Sequence, residues 1–436
     1  MVGTIMKNVN EIKDSQLCYG CGTCSVVCNK DAITMQYDNI GRLLPIIDET
    51  KCVNCGLCSK ICPSLDQKGI QLPDTEDRYV GHVINTYIGK ATDEQIFRNS
   101  QSGGMVTAVL KYLFDTEKID AAIVCKVIDE IEYTPKAILI TSVTQLYDSQ
   151  KSSYVPVDMV SAMKQASDYN SIAVVGTGCH IQGFYALKEF KQTYREKIRY
   201  TLGLICDRTL CKTSTDVLYG NYFKNEKKRV VWRDKSVGYK EARLVIKTED
   251  GRQKVLPRWK RFALKDPFTN PRCRICFDKL NTHADIVYGD PWGMSNIDWK
   301  NGLSLVLTRT KTGEEIINNM KRQGDAILNE PPLSEVIQGQ NIDKRKQSVA
   351  VALTVYKQKG WHIPTYAEQL GIDDIHIKDK ELQLQEQMIS KFVKDARKNK
   401  DEIVKANLSM LRMHSLRNSK PFYIVRRIVN YFKKIV

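Results

Sequence analysis

Two runs of four cysteines constrain this chain more than any other feature. Cys18-Tyr-Gly-Cys21-Gly-Thr-Cys24-Ser-Val-Val-Cys28 recurs 34 residues later as Cys52-Val-Asn-Cys55-Gly-Leu-Cys58-Ser-Lys-Ile-Cys62, with Pro63 next. Eight of the 14 cysteines in 436 residues therefore fall in one repeat. A chain of this length buries a core without disulfide staples. The first fifteen residues, with Lys7, Glu11, Lys13 and Asp14, lack the apolar core of a secretory signal, and no run of eighteen apolar residues occurs. The expectation is a cytoplasmic protein whose thiolates are free to bind metal.

Cys-x2-Cys-x2-Cys-x3-Cys-Pro is the spacing of bacterial-type two-cluster ferredoxins. A 4Fe-4S cubane needs one thiolate per iron. Three closely spaced cysteines wrap three corners, and the fourth in each run reaches the other cluster. The spacing thus predicts one cluster on Cys18, Cys21, Cys24 and Cys62, and a second on Cys52, Cys55, Cys58 and Cys28. Zinc also takes four thiolates, but zinc modules group cysteines as separated pairs. Residues 1–68 are read as this ferredoxin domain.

Beyond a polar linker at Asp66–Asp77, residues 79–330 alternate short apolar runs with helical patterns. Strands are expected at Ile119–Ile128, Ser171–Val175, Tyr200–Cys206, Ala284–Tyr288 and Leu303–Thr308. Ala242–Lys247 and Gln253–Pro257 flank Asp250-Gly251, a hairpin signal. Helices are expected at Gly104–Phe114, His180–Phe190 and Thr312–Arg322. The fold class is mixed α/β, α+β when the ferredoxin module is included, and strand order cannot be read from the pattern. Residues 330–380 read as polar and irregular, and 378–418 as helical and polar.

Six cysteines remain. Cys125 lies in an apolar strand and reads as a buried small hydrophobe. Cys273-Arg-Ile-Cys276 has metal-ligand spacing, and Cys179 and Cys206 each lie just past an expected strand, where parallel sheets present their sites. The four suit a third metal site, with zinc a rival to iron–sulfur and Cys211 the substitute for Cys206. Ser102-Gly103-Gly104 opens a helix, where N–H groups can hold phosphate, although such triplets also serve as ordinary caps. Gly176-Thr177-Gly178 follows a strand without completing a dinucleotide fingerprint. Asp290 lies in the turn-rich Gly289-Asp-Pro-Trp-Gly293. His180 has a side chain that titrates near neutrality and could donate a proton, or it could hydrogen-bond its own turn.

Four segments together resemble one family: Ser100-Gln-Ser-Gly-Gly-Met-Val-Thr-Ala108, Val174-Val-Gly-Thr-Gly-Cys179-His-Ile-Gln182, Gly203-Leu-Ile-Cys206, and Cys273-Arg-Ile-Cys276 with Ala284-Asp-Ile-Val-Tyr-Gly-Asp-Pro-Trp-Gly293. They look like the beta subunit of coenzyme F420 hydrogenase and dehydrogenase, F420 being a deazaflavin hydride carrier. The resemblance covers about residues 15–310 and divides the second domain near residue 165. It implies an FAD-binding α/β domain beside a third 4Fe-4S cluster on Cys179, Cys206, Cys273 and Cys276. It also makes Ser102, Gly103, Gly104, Gly176, Thr177, Gly178 and Asp290 candidate flavin contacts. Where the family usually has Thr-Pro-Cys-Gln, this chain has Thr177-Gly178-Cys179-His180.

The expected function is an iron–sulfur flavoprotein oxidoreductase. Its expected partners are a ferredoxin or another electron-transfer protein and a small-molecule hydride donor or acceptor. The competing reading is a non-catalytic subunit that relays electrons to a partner oxidoreductase. Residues 331–436 form a third region. At 100° per residue, Arg426, Arg427, Asn430, Lys433 and Lys434 fall on one side of residues 422–436, and Ile424, Val425, Ile428, Tyr431, Phe432, Ile435 and Val436 on the other. That pattern suits peripheral contact with the inner face of a membrane or docking on protein. No nucleic-acid-binding module accompanies the formal charge of +16.

Overall fold

The computed structural model describes residues 8–12, 15–65, 77–129, 131–220, 222–224, 226–241, 243–295, 297–372 and 375–417. The basic segment 422–436 and most of the linker lie outside these residues.

The two cysteine runs fold as copies of one another. Each leads into a four-residue helix, Thr23–Val26 or Leu57–Lys60, through a glycine in the left-handed region, Gly22 at φ 89° and Gly56 at φ 74°. Between them, β1 (Ile33–Tyr37) and β2 (Leu43–Ile47) form an antiparallel hairpin.

The body of the protein is an eight-stranded sheet. Its strands are β3 (Asn85–Ala91), β4 (Ala121–Asp129), β5 (Thr134–Ile140), β6 (Ile172–Thr177) and β7 (Ile198–Leu204). After β8 (Lys228–Val231), β9 (Leu244–Thr248) and β10 (Gln253–Leu256), which make a separate antiparallel sheet, the chain returns as β11 (Ile286–Gly289), β12 (Ser304–Thr308) and β13 (Ala326–Asn329). The large sheet has the order β13-β3-β12-β11-β7-β6-β4-β5. The four inner strands β11, β7, β6 and β4 are parallel, and the flanking pairs are antiparallel.

Helices cover both faces, so the inner strands are apolar on both sides. Ala122, Ala173, Leu202 and Ile286 pack under the helices Met105–Asp115 and Lys311–Gln323. Ile123, Val174 and Val287 pack under the helix Gly178–Phe190. The expected strands and helices of this region are present, shifted by one or two residues at their ends. β3, β5, β8 and β13 were not expected. β3 interrupts its apolar pattern with Gly89 and Lys90, and the glycine is there because a Cβ would meet the Ile327 carbonyl of β13.

Residues 330–380 are not irregular, which corrects the sequence reading. They contain the helices Leu333–Gly339 and Ile342–Gln358. The second buries Val349, Ala350, Val351, Ala352, Leu353, Val355 and Tyr356, apolar on every side, so no amphipathic stripe marks it. It shares one core with Leu17, Ile33 and Ile47 of the ferredoxin module and with Ile275, Phe277 and Leu280 of the α/β body. Packing therefore runs continuously across residue 330.

Candidate cluster and cofactor sites at one edge of the sheet

Because β6, β7 and β11 are parallel, their C-terminal ends open on one edge. Thr177, Leu204 and Tyr288 stand in register there. Cys179 lies in the first turn of the helix that leaves β6, and Cys206 follows β7. The short helix Pro271–Arg274, capped by Asn270, delivers Cys273 and leads to Cys276. These four thiols meet at the edge. Burial pushes the Cys179 thiol well above its usual range, and the charges of Cys206, Cys273 and Cys276 push the same way. Cys206 is raised by burial first and then by Cys273 and Cys276. Thiols that resist ionisation alone are deprotonated outright when they coordinate a metal.

Arg345 fastens this quartet: its Nε donates to the Cys276 carbonyl at 2.9 Å and its Nη2 to the Cys273 carbonyl at 2.8 Å. Cys211, the substitute candidate, is fully buried among Leu210, Trp232 and Phe268 and takes the role of a core residue. Arg272 and Arg274, which as surface charge would be solvated, are 0% and 6% exposed.

The eight ferredoxin cysteines lie in two adjoining groups, with Cys58 also acting on Cys24. Burial raises Cys24, and Cys21, Cys18 and Cys62 add to it. Burial pushes Cys18 up to about 12, with Cys21 contributing. Cys28, Cys52, Cys55 and Cys58 line one surface pocket together. Cys55 is exposed, whereas the Cys18 quartet lies deeper. That deeper quartet abuts the third one. Asn270 Nδ2 donates to the Cys18 carbonyl at 3.2 Å, and Arg272 lies 4.4 Å over the ring of Tyr19. Tyr19, next to Cys18, is near enough to feel Cys276 and Cys179. Among the described residues, no three His, Cys, Asp or Glu side chains converge as a single ion requires. A cubane spreads its ligands more widely, one thiolate per iron.

A second site lies one strand further along the same edge. A cavity of about 540 Å³ opens at the end of β4, within the usual size range of cofactor pockets. Lys126, Lys151, Ser152, Ser153, Lys228, Arg229, Tyr133 and Tyr147 are among its lining residues. Lys151 holds φ at 96°, a strained value for a side-chain-bearing residue and a mark of functional loops. Burial lowers Lys151 to about 8, and Arg229 adds to the shift. Beside it, Gln101 is 7% exposed; it accepts the Ser152 N–H at 3.2 Å, while its Nε2 finds no hydrogen-bond partner among the described residues. Asp148 also lines the cavity and pairs with Lys126 at 3.3 Å, so Lys151, Lys228 and Arg229 carry the excess positive charge, which with the serine hydroxyls fits an anionic cofactor. The sequence reading missed these residues; the polar run Ser149-Gln-Lys-Ser-Ser153 was the available signal.

The flavin candidates named from sequence do not line this cavity. Ser102 Oγ donates to the Leu303 carbonyl at 2.7 Å, and the Gly103 N–H donates to Ser304 Oγ at 3.0 Å. Gly104 caps the helix that follows. A Cβ on Gly103 would stand 2.3 Å from the Gly89 carbonyl, one on Gly176 2.6 Å from the His180 Cβ, and one on Gly178 2.6 Å from Asp278. These glycines permit close packing. Thr177 and His180 form a reciprocal cap: His180 Nδ1 accepts the Thr177 N–H at 3.3 Å. Burial lowers His180 to about 4, so the ring is neutral near pH 7 and serves its own turn. Asp290 pairs with Arg233 through both guanidinium amino groups and accepts the Tyr239 hydroxyl at 2.8 Å.

Comparison with known proteins bears on these sites. Residues 86–164 match "Coenzyme F420 hydrogenase/dehydrogenase, beta subunit N-term" and residues 169–333 the C terminus of the same subunit, together more than half of the chain. Residues 17–65 match a 4Fe-4S dicluster domain. The coenzyme F420-dependent sulfite reductase of Methanocaldococcus jannaschii is 29% identical over 339 residues, 74% of this chain and 49% of that protein, so this chain spans about half its length. The coenzyme F420 hydrogenase subunit beta of Methanosarcina barkeri is 23% identical over 304 residues, 66% of this chain and 99% of that protein. A solved structure of the F420-reducing nickel–iron hydrogenase complex from Methanosarcina barkeri contains a chain that superposes with a TM-score of 0.51 at 22% identity. The match covers 66% of this chain and 97% of that one, a likeness of fold.

Proposed function

This chain belongs to the family of coenzyme F420 hydrogenase and dehydrogenase beta subunits, with a 4Fe-4S dicluster domain ahead of it, and from that premise we propose that it is an iron–sulfur flavoprotein oxidoreductase. Its ferredoxin module would hold two clusters, Cys179, Cys206, Cys273 and Cys276 a third, and the cationic cavity the flavin. Clusters carry single electrons, and a flavin exchanges a hydride for them.

The observation that carries this reading is the placement of the sites. The deeper ferredoxin quartet packs on the third quartet through Tyr19 and Arg272. The third quartet stands at the ends of β6 and β7, and the cavity at the end of the adjacent β4. Both therefore open on the edge formed by the C-terminal ends of the parallel strands. Lys151, Lys228 and Arg229 would supply charge for a pyrophosphate, and Ser152 and Ser153 hydroxyls, while Lys126 pairs with Asp148.

The hydride partner is a deazaflavin coenzyme or another small molecule. For segment 422–436 the sequence pattern supports contact with a membrane surface or docking on protein equally, and vesicle binding tests the first. If protein lacking it binds anionic vesicles as well as the full chain, the membrane reading fails.

The test is iron, zinc, acid-labile sulfide and flavin per chain in anaerobically purified protein. About twelve irons with one flavin is the expected result. About eight irons and no flavin would leave a relay subunit that passes electrons to a partner oxidoreductase.

A further inference from the structure

The family match ends at residue 333, before the helix Ile342–Gln358 begins. Yet Arg345, in the first turn of that helix, reaches into the third cysteine quartet. Its side chain is 7% exposed. Besides the Cys273 and Cys276 carbonyls, it donates from Nη1 to the Asp207 carbonyl at 3.3 Å. One planar fork thus spans both ligand-bearing loops, Cys206–Asp207 and Cys273–Cys276.

The charges around this quartet are unequal. Asp207 is the neighbouring carboxylate, and Arg208 pairs with it at 2.8 Å. Lys279 stands on the same side and is engaged by the Gln340 carbonyl. The Cys276, Asp207, Cys273 and Cys206 charges all act on Arg345. One-electron reduction adds a negative charge to a buried centre without needing a proton. A fixed cation within a few ångströms favours the added charge strongly where the effective dielectric is low.

We propose that Arg345 is a positioning residue for the third cluster. It holds the two ligand loops together, and its charge raises the reduction potential there. Cys179, Cys206, Cys273 and Cys276 would hold the cluster, and the nearby guanidinium would favour its reduced form in one-electron exchange with the cluster held by Cys18, Cys21, Cys24 and Cys62. The helix that carries Arg345 also binds the ferredoxin module: Tyr356 Oη donates to the Gln16 carbonyl at 3.1 Å. A segment outside the family match thus fixes both the spacing of the two quartets and the potential of one.

The inference rests on the third cluster proposed above, and the experiment separates the two. Full-length wild type, Arg345→Gln and Arg345→Lys are reconstituted anaerobically, assayed for iron and sulfide, and titrated potentiometrically by electron paramagnetic resonance. The signal missing from Cys273→Ser identifies the third cluster. The expected result is a third-cluster potential lowered in Arg345→Gln by at least a tenfold shift in electron partition, about 59 mV for one electron. Arg345→Lys keeps the wild-type value, and the other two potentials stay put. An unchanged potential in Arg345→Gln overturns the proposal, as does an equal fall in Arg345→Lys. If Arg345→Gln loses its third cluster, Arg345→Lys decides. Retention at the wild-type potential supports the charge role, and loss there too reduces Arg345 to packing. Eight irons in the wild type would sink the third cluster itself.

Discussion

Replacing Asp290 with Asn removes one charge from a buried pair and leaves the other in place. Arg233 is 5% and Asp290 17% exposed, and Nη2 meets Oδ1 at 2.8 Å. The guanidinium also lies 5.0 Å over Tyr239 and 5.1 Å over Trp292, whose rings stack at 5.8 Å with 3° between planes. Breaking a buried pair from one side costs about 3–5 kcal/mol, because the survivor stays charged and unpaired. Asn keeps an acceptor for the Tyr239 hydroxyl, and Asp290 is not fully enclosed. The expected loss is therefore about 2–3 kcal/mol. Urea unfolding followed by tryptophan fluorescence reads it, with Trp292 and Trp299 stacked beside the pair. At a slope of about 2–3 kcal/mol per molar urea, the midpoint falls by about 1 M. A protein with several modules need not unfold in one step, so the comparison rests on the tryptophan transition. The double variant Arg233→Met with Asp290→Asn removes the stranded charge and recovers part of the loss. If the double variant is as unstable as Asp290→Asn or worse, the buried-charge argument is wrong.

Cys206→Ala and Cys211→Ala separate ligand from core: the first loses about four irons, while the second keeps its iron and loses about 1–2 kcal/mol of stability. Iron and sulfide analysis with a melting curve tells them apart, and iron loss in Cys211→Ala would reverse the assignment. Gly103→Ala drives a Cβ to 2.3 Å from the Gly89 carbonyl and 2.5 Å from the Ser304 nitrogen, both backbone, and costs about 2–3 kcal/mol. Gly251→Ala, at φ 86° with nothing within 4 Å, costs only about 1 kcal/mol for its backbone conformation; equal losses in denaturant melts would contradict the packing role of Gly103. Lys151 is held down at about 8 from 10.5, so between those values the unfolded chain binds more protons and folding stability rises with pH. An anionic ligand prefers the charged lysine, so FAD affinity falls as pH rises through about 8. Flavin fluorescence from pH 7 to 9.5 checks this, and a Lys151→Met protein with the same profile would exclude the lysine.

The ferredoxin quartets were legible because a cubane ligand set is mostly local: three thiolates sit within seven residues, and only Cys28 and Cys62 change partners. Cys179 and Cys206 were visible as cysteines past strand ends and the Cys273 pair by its ligand spacing, but only the parallel order β11-β7-β6-β4 sets those strand ends side by side. Strand periodicity reports burial and not neighbours, so the order could not be read. The glycine triplets carried two readings for a related reason: a glycine that leaves room for a ligand and one that lets two backbones touch look alike until the partner strand is placed. His180 likewise carried two readings until its ring was found capping Thr177. The helix Ile342–Gln358 escaped because its stretch Val349–Tyr356 is buried on nearly every side, so its apolar residues show no helical period. By itself, then, the sequence determined the two cysteine runs of the ferredoxin domain and the alternation of strands and helices, both set by residues near one another in the chain. The tertiary structure alone decided which strand ends share an edge, where Lys151 and Arg229 converge, and that Arg345 reaches the third quartet. Those juxtapositions depend on packing between segments far apart in sequence, which local spacing does not encode.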